Sequence, residues 1–240
     1  MSYFFGFGTV VDTLAIILAG IIGSLFGHHL TERHQNSLTM ASGVSVLFIG
    51  ISGAMSGMLK LSNDSLTNGH TLLVVACLAL GAFLGELLNI EDKFDDLGHW
   101  LKRKTGSQKD NSFVVAFVTA TLTVCIGAMA IIGPIQDGMS GNPSILLTKS
   151  ILDFIIVIVL TTSLGKGAAF SAIPVLLIQG TITLFAKLVE PLMTVTALAN
   201  ISMIGSILIF CVGLNLIWGK KIRVANMLPA LLFAVVVAYL

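Results

Sequence analysis

The sequence has 240 residues, of which 55% are hydrophobic and only 10% charged, and its mean hydropathy is +0.98. Soluble domains carry about 25% charged residues, so this composition excludes a water-soluble globule and predicts a membrane protein. The net charge of +1 leaves no basic surface of the kind that binds nucleic acid, so no nucleic-acid partner is expected.

Eight apolar runs are each about as long as the stretch of about 20 helical residues that crosses a bilayer. They cover residues 6–26, 38–59, 71–88, 113–132, 143–163, 168–186, 195–218 and 224–240. The sequence therefore predicts an all-α polytopic membrane protein with about eight transmembrane helices, forming a single transmembrane domain over residues 1–240. The last run is the shortest, and we expect it either to be tilted little or to stop short of the far interface.

Residues 90–111 form the longest polar stretch, which is too short for a soluble domain. Four acidic residues, Glu91, Asp92, Asp95 and Asp96, precede Trp100 and the basic residues Lys102, Arg103 and Lys104. This pattern predicts either an amphipathic interfacial helix or a solvated connector.

Lysine and arginine are distributed unevenly between the predicted loops, and such residues are retained on the cytoplasmic side. One side has only Lys60 and Lys187. The other collects ten: Arg33, Lys93, Lys102, Arg103, Lys104, Lys109, Lys166, Lys220, Lys221 and Arg223. We therefore expect a multi-pass protein of the bacterial plasma (inner) membrane with both termini on the extracytoplasmic side.

A faint internal repeat relates the two ends of the chain. Residues 42–51 align with residues 205–214, and the same offset places Phe7 on Phe170 and Leu14 on Leu177. The alignment would relate spans 1–3 to spans 6–8. Because the matching spans are five apart, their directions are opposite, which predicts an inverted repeat of the kind found in transporters.

The end of the fourth run combines backbone-breaking residues with polar ones. Gly133, Pro134 and Gly138 predict a helix break, and Gln136 and Asp137 would supply polar oxygens beside it. Irregular backbone at membrane depth occurs where protein or a water-filled cavity surrounds it. Two readings remain open: a re-entrant segment that contributes to a site, or an external loop that begins at Gly133.

Three charged residues lie deep inside apolar runs. Lys149 and Asp153 are four residues apart, hence on one helix face, and Asp153 lies near the predicted midplane. Asp12 lies two turns into the first span and could face the same cavity. Charges at such depth usually mark ion or proton pathways, although Lys149 and Asp153 could instead form a structural salt bridge and Asp12 could be hydrated at the interface.

Glycines form three pairs at four-residue spacing, a pattern that favours close helix packing: Gly23 and Gly27, Gly53 and Gly57, and Gly81 and Gly85. These faces could also support a homo-oligomer. The sequence has no phosphate-binding loop, zinc-protease motif or serine nucleophile motif. We therefore predict no enzyme activity, no catalytic residues, no metal site and no cofactor.

Four motifs resemble the uncharacterised bacterial YdfK/YqgA membrane-protein family. They are Gly8-Thr9-Val10-Val11-Asp12, the segment 125–138, Lys149-Ser150-Ile151-Leu152-Asp153, and the segment 223–230. Two positions depart from the family pattern, in which Asn is usual at Asp12 and Ser at Pro134. The resemblance implies a multi-span inner-membrane protein described as a transport protein without a defined substrate, and it carries no site residues.

The leading hypothesis is a small secondary transporter of an unknown solute or ion, with a polar mid-membrane site and proton or sodium coupling. Asp12, Gln136, Asp137, Lys149 and Asp153 are the candidate pathway residues. The alternatives are an ion or solute channel and a non-transporting membrane scaffold.

Overall fold

The computed structural model describes residues 4–27, 30–62, 65–108, 110–127 and 129–239. The helices there are α1 (Phe7–Gly27), α2 (Glu32–Met58), α3 (Thr71–Leu88), α4 (Ile90–Lys104), α5 (Phe113–Cys125), α6 (Met129–Ser140), α7 (Ser144–Leu164), α8 (Ala172–Leu184), α9 (Ala186–Val189), α10 (Val195–Trp218) and α11 (Ala230–Val237). Three 3-10 segments, Lys166–Ser171, Glu190–Leu192 and Ala225–Met227, connect some of them. The predicted all-α membrane class is confirmed.

Six helices of the described residues are long and apolar enough to cross a membrane, if α8 is counted together with the 3-10 segment before it as Lys166–Leu184. The bent pair of α5 and α6 makes a seventh if it is one span. The eighth predicted run forms only a short apolar helix, as its length suggested, and its predicted end, Leu240, lies outside the described residues. An eight-span count therefore stays a prediction. The polar stretch after α3 forms the amphipathic helix α4, acidic in its first turn and basic in its last.

The backbone between α2 and α3 contains two short antiparallel strands that were not predicted from the sequence, β1 (Leu59–Ser62) and β2 (Ser65–Asn68). Leu59 lies opposite Asn68, and Ser62 lies opposite Ser65. The pairing satisfies backbone groups between two apolar helices.

The predicted helix break at Gly133, Pro134 and Gly138 is wrong, because all three residues lie inside α6. The backbone leaves the helical path earlier, between Cys125 and Met129, where Gly127 has a φ of +147° and Ala128 lies outside the described residues. Glycine adopts such an angle at little cost, whereas Pro134 keeps a helical φ and deprives α6 of one hydrogen bond. The axes of α5 and α6 differ by 61°.

The chain divides into two compact units. The first comprises Met1–Ser42, Phe94–Cys125 and Met129–Glu190, and the second comprises Gly43–Lys93, Ile126–Ala128 and Pro191–Leu240. Ile16, Ala19, Val157 and Val175 are among the core residues of the first unit. The core of the second includes Cys77, Ile204, Ala230 and Ala234.

Within the first unit, α7 runs parallel to α1 and α8 runs antiparallel to it. A Cβ atom on Gly8 would lie 2.7 Å from Leu146 Cβ, and one on Gly23 would lie 2.7 Å from Thr161 Cβ, so residue numbers rise together on α1 and α7. Two candidate spans, α2 and α3, lie between α1 and the bent pair of α5 and α6. If that pair also crosses the membrane once, as a broken span, α7 crosses in the same direction as α1. A re-entrant pair would reverse that direction, so the parallel packing favours a single broken span.

Within the second unit, α2 packs antiparallel to α10. A Cβ atom on Gly43 would lie 3.1 Å from Leu216 Cβ, and one on Gly53 would lie 2.9 Å from Ser206 Cβ. The offset that aligns residue 42 with residue 205 places Gly43 on Ser206 and Gly53 on Leu216. The contact of Gly43 with Leu216 is therefore equivalent to the contact of Ser206 with Gly53. A two-fold relation requires such an exchange of contacts, although the inverted repeat itself stays a prediction.

The three glycine pairs face neighbouring helices of the same chain. Gly23 and Gly27 pack on α7, Gly53 and Gly57 pack on α10, and Gly81 and Gly85 pack on Ala230 and Asn226. These faces are therefore occupied within one chain and are not free to join two copies. A homo-oligomer stays a prediction, but it requires other surfaces.

Candidate functional site

A cluster of charged side chains lies inside the first unit, between α1 and α7. The Lys149 ammonium donates to Asp12 Oδ2 over 3.0 Å and also to the carboxylate of Asp153. None of the three side chains is more than 6% exposed. The structure therefore brings together the three charged residues predicted from the apolar runs, and it buries them as expected.

Helix periodicity and close helix packing explain this arrangement. Lys149 and Asp153 share a face of α7 because they are one turn apart. Asp12 reaches them because α1 approaches α7 closely at Gly8 and Gly23, where any side chain would meet α7 atoms at less than 3 Å. The charged contact is thus positioned by small residues on either side of it.

Gln179 on α8 completes the cluster. Its Nε2 donates to Asp12 Oδ2 over 2.6 Å, and the residue is only 1% exposed. Sequence reasoning missed Gln179. The available signal was an amide near the middle of an apolar run, a position where a polar group requires a partner.

The cluster carries more acceptor capacity than its donors use. Asp12 Oδ1 and Gln179 Oε1 are buried and accept no hydrogen bond from the part of the chain that the structure describes. Two carboxylates against one ammonium give the three charged side chains a net charge of −1 when all are ionised. One proton or one monovalent cation would balance that charge and use the remaining acceptors.

Comparison with known proteins gives the same protein family as the sequence motifs. Residues 7–239 match a family model described as "Protein of unknown function (DUF554)". The chain belongs to this DUF554 family. It is similar to the uncharacterized membrane protein YdfK of Bacillus subtilis (strain 168), with 32% identity over 233 residues, covering 97% of this chain and 96% of YdfK.

It is also similar to the uncharacterized protein YqgA of Escherichia coli (strain K12), with 33% identity over 234 residues, covering 95% of this chain and 94% of YqgA. The family resemblance seen in the sequence motifs is therefore confirmed. No solved structure matches the chain.

Asp137 of this DUF554 chain lies away from the charged cluster, at the beginning of α1. Its Oδ2 accepts the backbone N–H groups of Gly8 over 2.9 Å and Thr9 over 3.3 Å. These are unpaired donors of the first helical turn, and the carboxylate also opposes the positive end of the helix dipole. Asp137 therefore caps α1, a structural role that leaves its part in a pathway a prediction.

The other predicted site residues do not join Lys149 and Asp153. Gln136 is half-buried on α6, and its carbonyl accepts the hydroxyl of Ser140 over 2.8 Å. Gly133 and Gly138 allow α6 to approach Leu146 and Thr183. Lys149 and Asp153 were expected to bond either to each other or to the segment of Gln136 and Asp137, and they bond to each other, with Asp12 on α1 as a further partner of Lys149.

A second polar cluster in the second unit joins the end of α3 and the start of α4 to the segment after α10. Arg223 donates to Glu86 Oε1 over 2.7 Å and to Asp92 Oδ1 over 3.2 Å. The hydrogen bond to Glu86 and the surrounding carboxylates raise the pKa of Arg223. Glu91, only 2% exposed, accepts the N–H of Ala225 over 2.8 Å and pairs with Lys220. This cluster anchors the last segment of the chain.

The chemistry available at the buried cluster is proton or cation exchange. Among the described residues, no group of three or more His, Cys, Asp or Glu side chains is placed to hold a metal ion. Two carboxylates that share one lysine, with Gln179 bonded to one of them, can gain or lose one positive charge as a proton or a monovalent cation.

Proposed function

We propose that this DUF554 protein is a secondary transporter of the bacterial inner membrane that couples movement of a small solute or ion to protons or Na⁺. The observation that carries the proposal is the buried cluster of Asp12, Lys149, Asp153 and Gln179, with its net negative charge and unused acceptor oxygens. Burying such charges costs several kcal/mol, a cost that an ion-coupling role would explain.

Two features favour a transporter over a channel. The charged side chains of α1 and α7 bond to one another, and the amide of Gln179 on α8 bonds to Asp12, so these side chains close the space between the three helices rather than line an open pore. In addition, the contact exchange between α2 and α10 is the pattern expected of an inverted repeat, the architecture that many transporters use for alternating access.

The orientation proposed with this function has both termini on the extracytoplasmic side. It rests on the ten-to-two distribution of Lys and Arg between the loops, although Lys109, one of the ten, lies outside the described residues. Labelling of single cysteines in α4 should occur from the cytoplasmic side. Labelling of α4 from outside would reverse the assignment.

The coupling role can be tested without knowing the solute. The purified protein, reconstituted into liposomes on a solid-supported membrane, should give a transient current after a pH jump or after a jump from choline chloride to NaCl. Asp153→Asn and Asp12→Asn preserve shape but remove a charge, and each should abolish that current. Asp96→Asn, at an exposed site on α4, should leave it unchanged.

The outcomes separate the three classes. A saturating current lost in Asp12→Asn and Asp153→Asn supports the transporter, whereas a current that grows linearly with the gradient supports a channel. A well-folded wild-type protein that gives no current under either jump would overturn the coupling proposal. If Asp153→Asn only lowers the folded yield of such a silent protein, the cluster is structural and the scaffold remains.

A further inference from the structure

One turn beyond the charged cluster, the same three helices present apolar side chains to each other. Ile16 follows Asp12 by one turn on α1, Val157 follows Asp153 by one turn on α7, and Val175 precedes Gln179 by one turn on the antiparallel α8. All three are fully buried and belong to one core cluster. They form a continuous apolar layer against one side of the charged cluster.

A polar cleft lies on the far side of that layer. Its volume is about 370 Å³, and it is lined by side chains and backbone that include Ser24, Gln35, Asp110, Ser112, Thr161 and Lys166. Thr161 is 1% exposed, and its hydroxyl finds no hydrogen-bond partner within the described residues. At about 30 Å³ for each water molecule in the liquid, such a cleft has room for several waters or a small hydrated solute.

The apolar layer separates the charged cluster from this cleft. Thr161 follows Asp153 by two turns on α7, or about 12 Å along the helix axis, and Val157 lies halfway between them. A barrier of one helical turn is therefore all that separates two polar regions inside one helix bundle.

The opposite side of the cluster is different in character. Towards the beginning of α1, buried polar groups continue: Thr9 and Thr183 share a hydrogen bond of 3.1 Å between their hydroxyls, and Asp137 caps the helix. An ion that approached from that side would meet oxygen atoms at each turn. The dry barrier lies on the cleft side of the cluster.

We infer, taking the proposed transport function as given, that Ile16, Val157 and Val175 form the gate between the ion cluster and the cleft. The cleft is then the vestibule through which a hydrated monovalent cation or a small polar solute reaches the cluster when the layer opens. Apolar constrictions of this kind block ions because water does not fill them, and they conduct once they are wetted.

The test uses two serines on either side of the layer. In a background with Cys77, Cys125 and Cys211 replaced by alanine, Ser24→Cys places a thiol in the cleft and Ser150→Cys places one two turns before Val157, beside the cluster. A membrane-impermeant thiol reagent is applied from the side that labels Ser24→Cys. Ser150→Cys should react about 100-fold more slowly, as expected if the gate is open in about one molecule of a hundred.

Wetting the layer should remove this protection. Adding Val157→Ser to the Ser150→Cys protein should raise its labelling rate towards that of Ser24→Cys. Val115→Ser, the same substitution at a 48% exposed site on α5, should leave the rate unchanged. Val175→Ser tests the layer from α8 and replaces Val157→Ser if that variant does not fold.

Labelling does not depend on transport, so the two proposals can fail separately. If Ser150→Cys reacts as fast as Ser24→Cys in the intact protein, or if neither Val157→Ser nor Val175→Ser changes its rate, the gate is overturned even where coupled currents persist. If Ser150→Cys is protected and becomes exposed in the serine variants, while no current is found, the layer is a barrier and the transport function fails.

Discussion

Lys149 holds two buried carboxylates, and the energetics of its cluster are asymmetric. Removing one partner of a buried ion pair leaves an uncompensated charge, whereas replacing all the charges together is close to neutral. Asp12, Lys149 and Asp153 should therefore behave as one unit in stability measurements. Gln179 contributes an amide donor to Asp12 but no charge.

Lys149→Met should lower the free energy of unfolding by about 3–5 kcal/mol, because it leaves the carboxylates of Asp12 and Asp153 facing each other. Adding Asp12→Asn and Asp153→Asn to this variant should restore most of the loss. Unfolding of the purified protein in detergent measures both effects. Lys104→Met, at an exposed site on α4, is the control and should change stability by less than about 0.5 kcal/mol. Equal stability of Lys149→Met and the wild type would contradict the ionic account.

The sequence shows which charged residues are buried in this cluster better than it shows which residues they contact. A charge inside an apolar run is conspicuous, so Asp12, Lys149 and Asp153 could be predicted, and helix periodicity pairs the last two. Helix periodicity gives no information about contacts between helices, so it could not show that Asp12 contacts Lys149. The contact of Asp137 with α1 could not be predicted for the same reason: it caps α1 from a distant helix, and only tertiary packing puts it there.

At the scale of helices, glycine decides where α5 ends and where helices approach. Gly127 has a φ of +147° with open space around its Cβ position, whereas Gly180 lies inside α8 with equally open space and an ordinary helical backbone. Sequence inspection could not distinguish these two glycines, because the difference is in their backbone angles. The helix break was predicted at Gly133 and Pro134, but α6 continues through both residues.

Gly127→Ala should destabilise the protein by about 1–3 kcal/mol, because alanine is strained at that φ even where space is available. Gly180→Ala is the matched control. It should be neutral or stabilising by up to about 1 kcal/mol, since alanine favours the helix and meets no neighbour. Thermal unfolding of the two variants measures the contrast, and an equal shift in both would show that the break does not depend on Gly127.

At the scale of the whole molecule, the inverted repeat requires that equivalent helix contacts be equally close. The offset that aligns the two ends of the chain places Gly50 on Gly213 and Leu47 on Phe210. A Cβ atom on Gly50 would lie 2.5 Å from Phe210 N, and one on Gly213 would lie 2.8 Å from Leu47 N. These are equivalent contacts, exchanged by the proposed two-fold relation.

Gly50→Ala and Gly213→Ala should therefore destabilise the protein by similar amounts, about 1–3 kcal/mol each, since the obstacle is backbone in both cases. Denaturant unfolding of both variants gives the comparison. A large loss in one variant and none in the other would argue that the packing of α2 on α10 is not symmetric, and that the repeat is an accident of apolar sequence.

The long sequence separation within the buried cluster has a consequence for how the protein is made. Asp12 enters the membrane with the first helix, whereas Lys149 is synthesised 137 residues later and Gln179 167 residues later. At bacterial synthesis rates of about 5–20 residues per second, Lys149 is synthesised about 7 to 27 s after Asp12. A nascent chain that stalls before α7 therefore holds a membrane-embedded acid with no cation to meet it, a feature by which quality-control proteases could distinguish unfinished chains from finished ones.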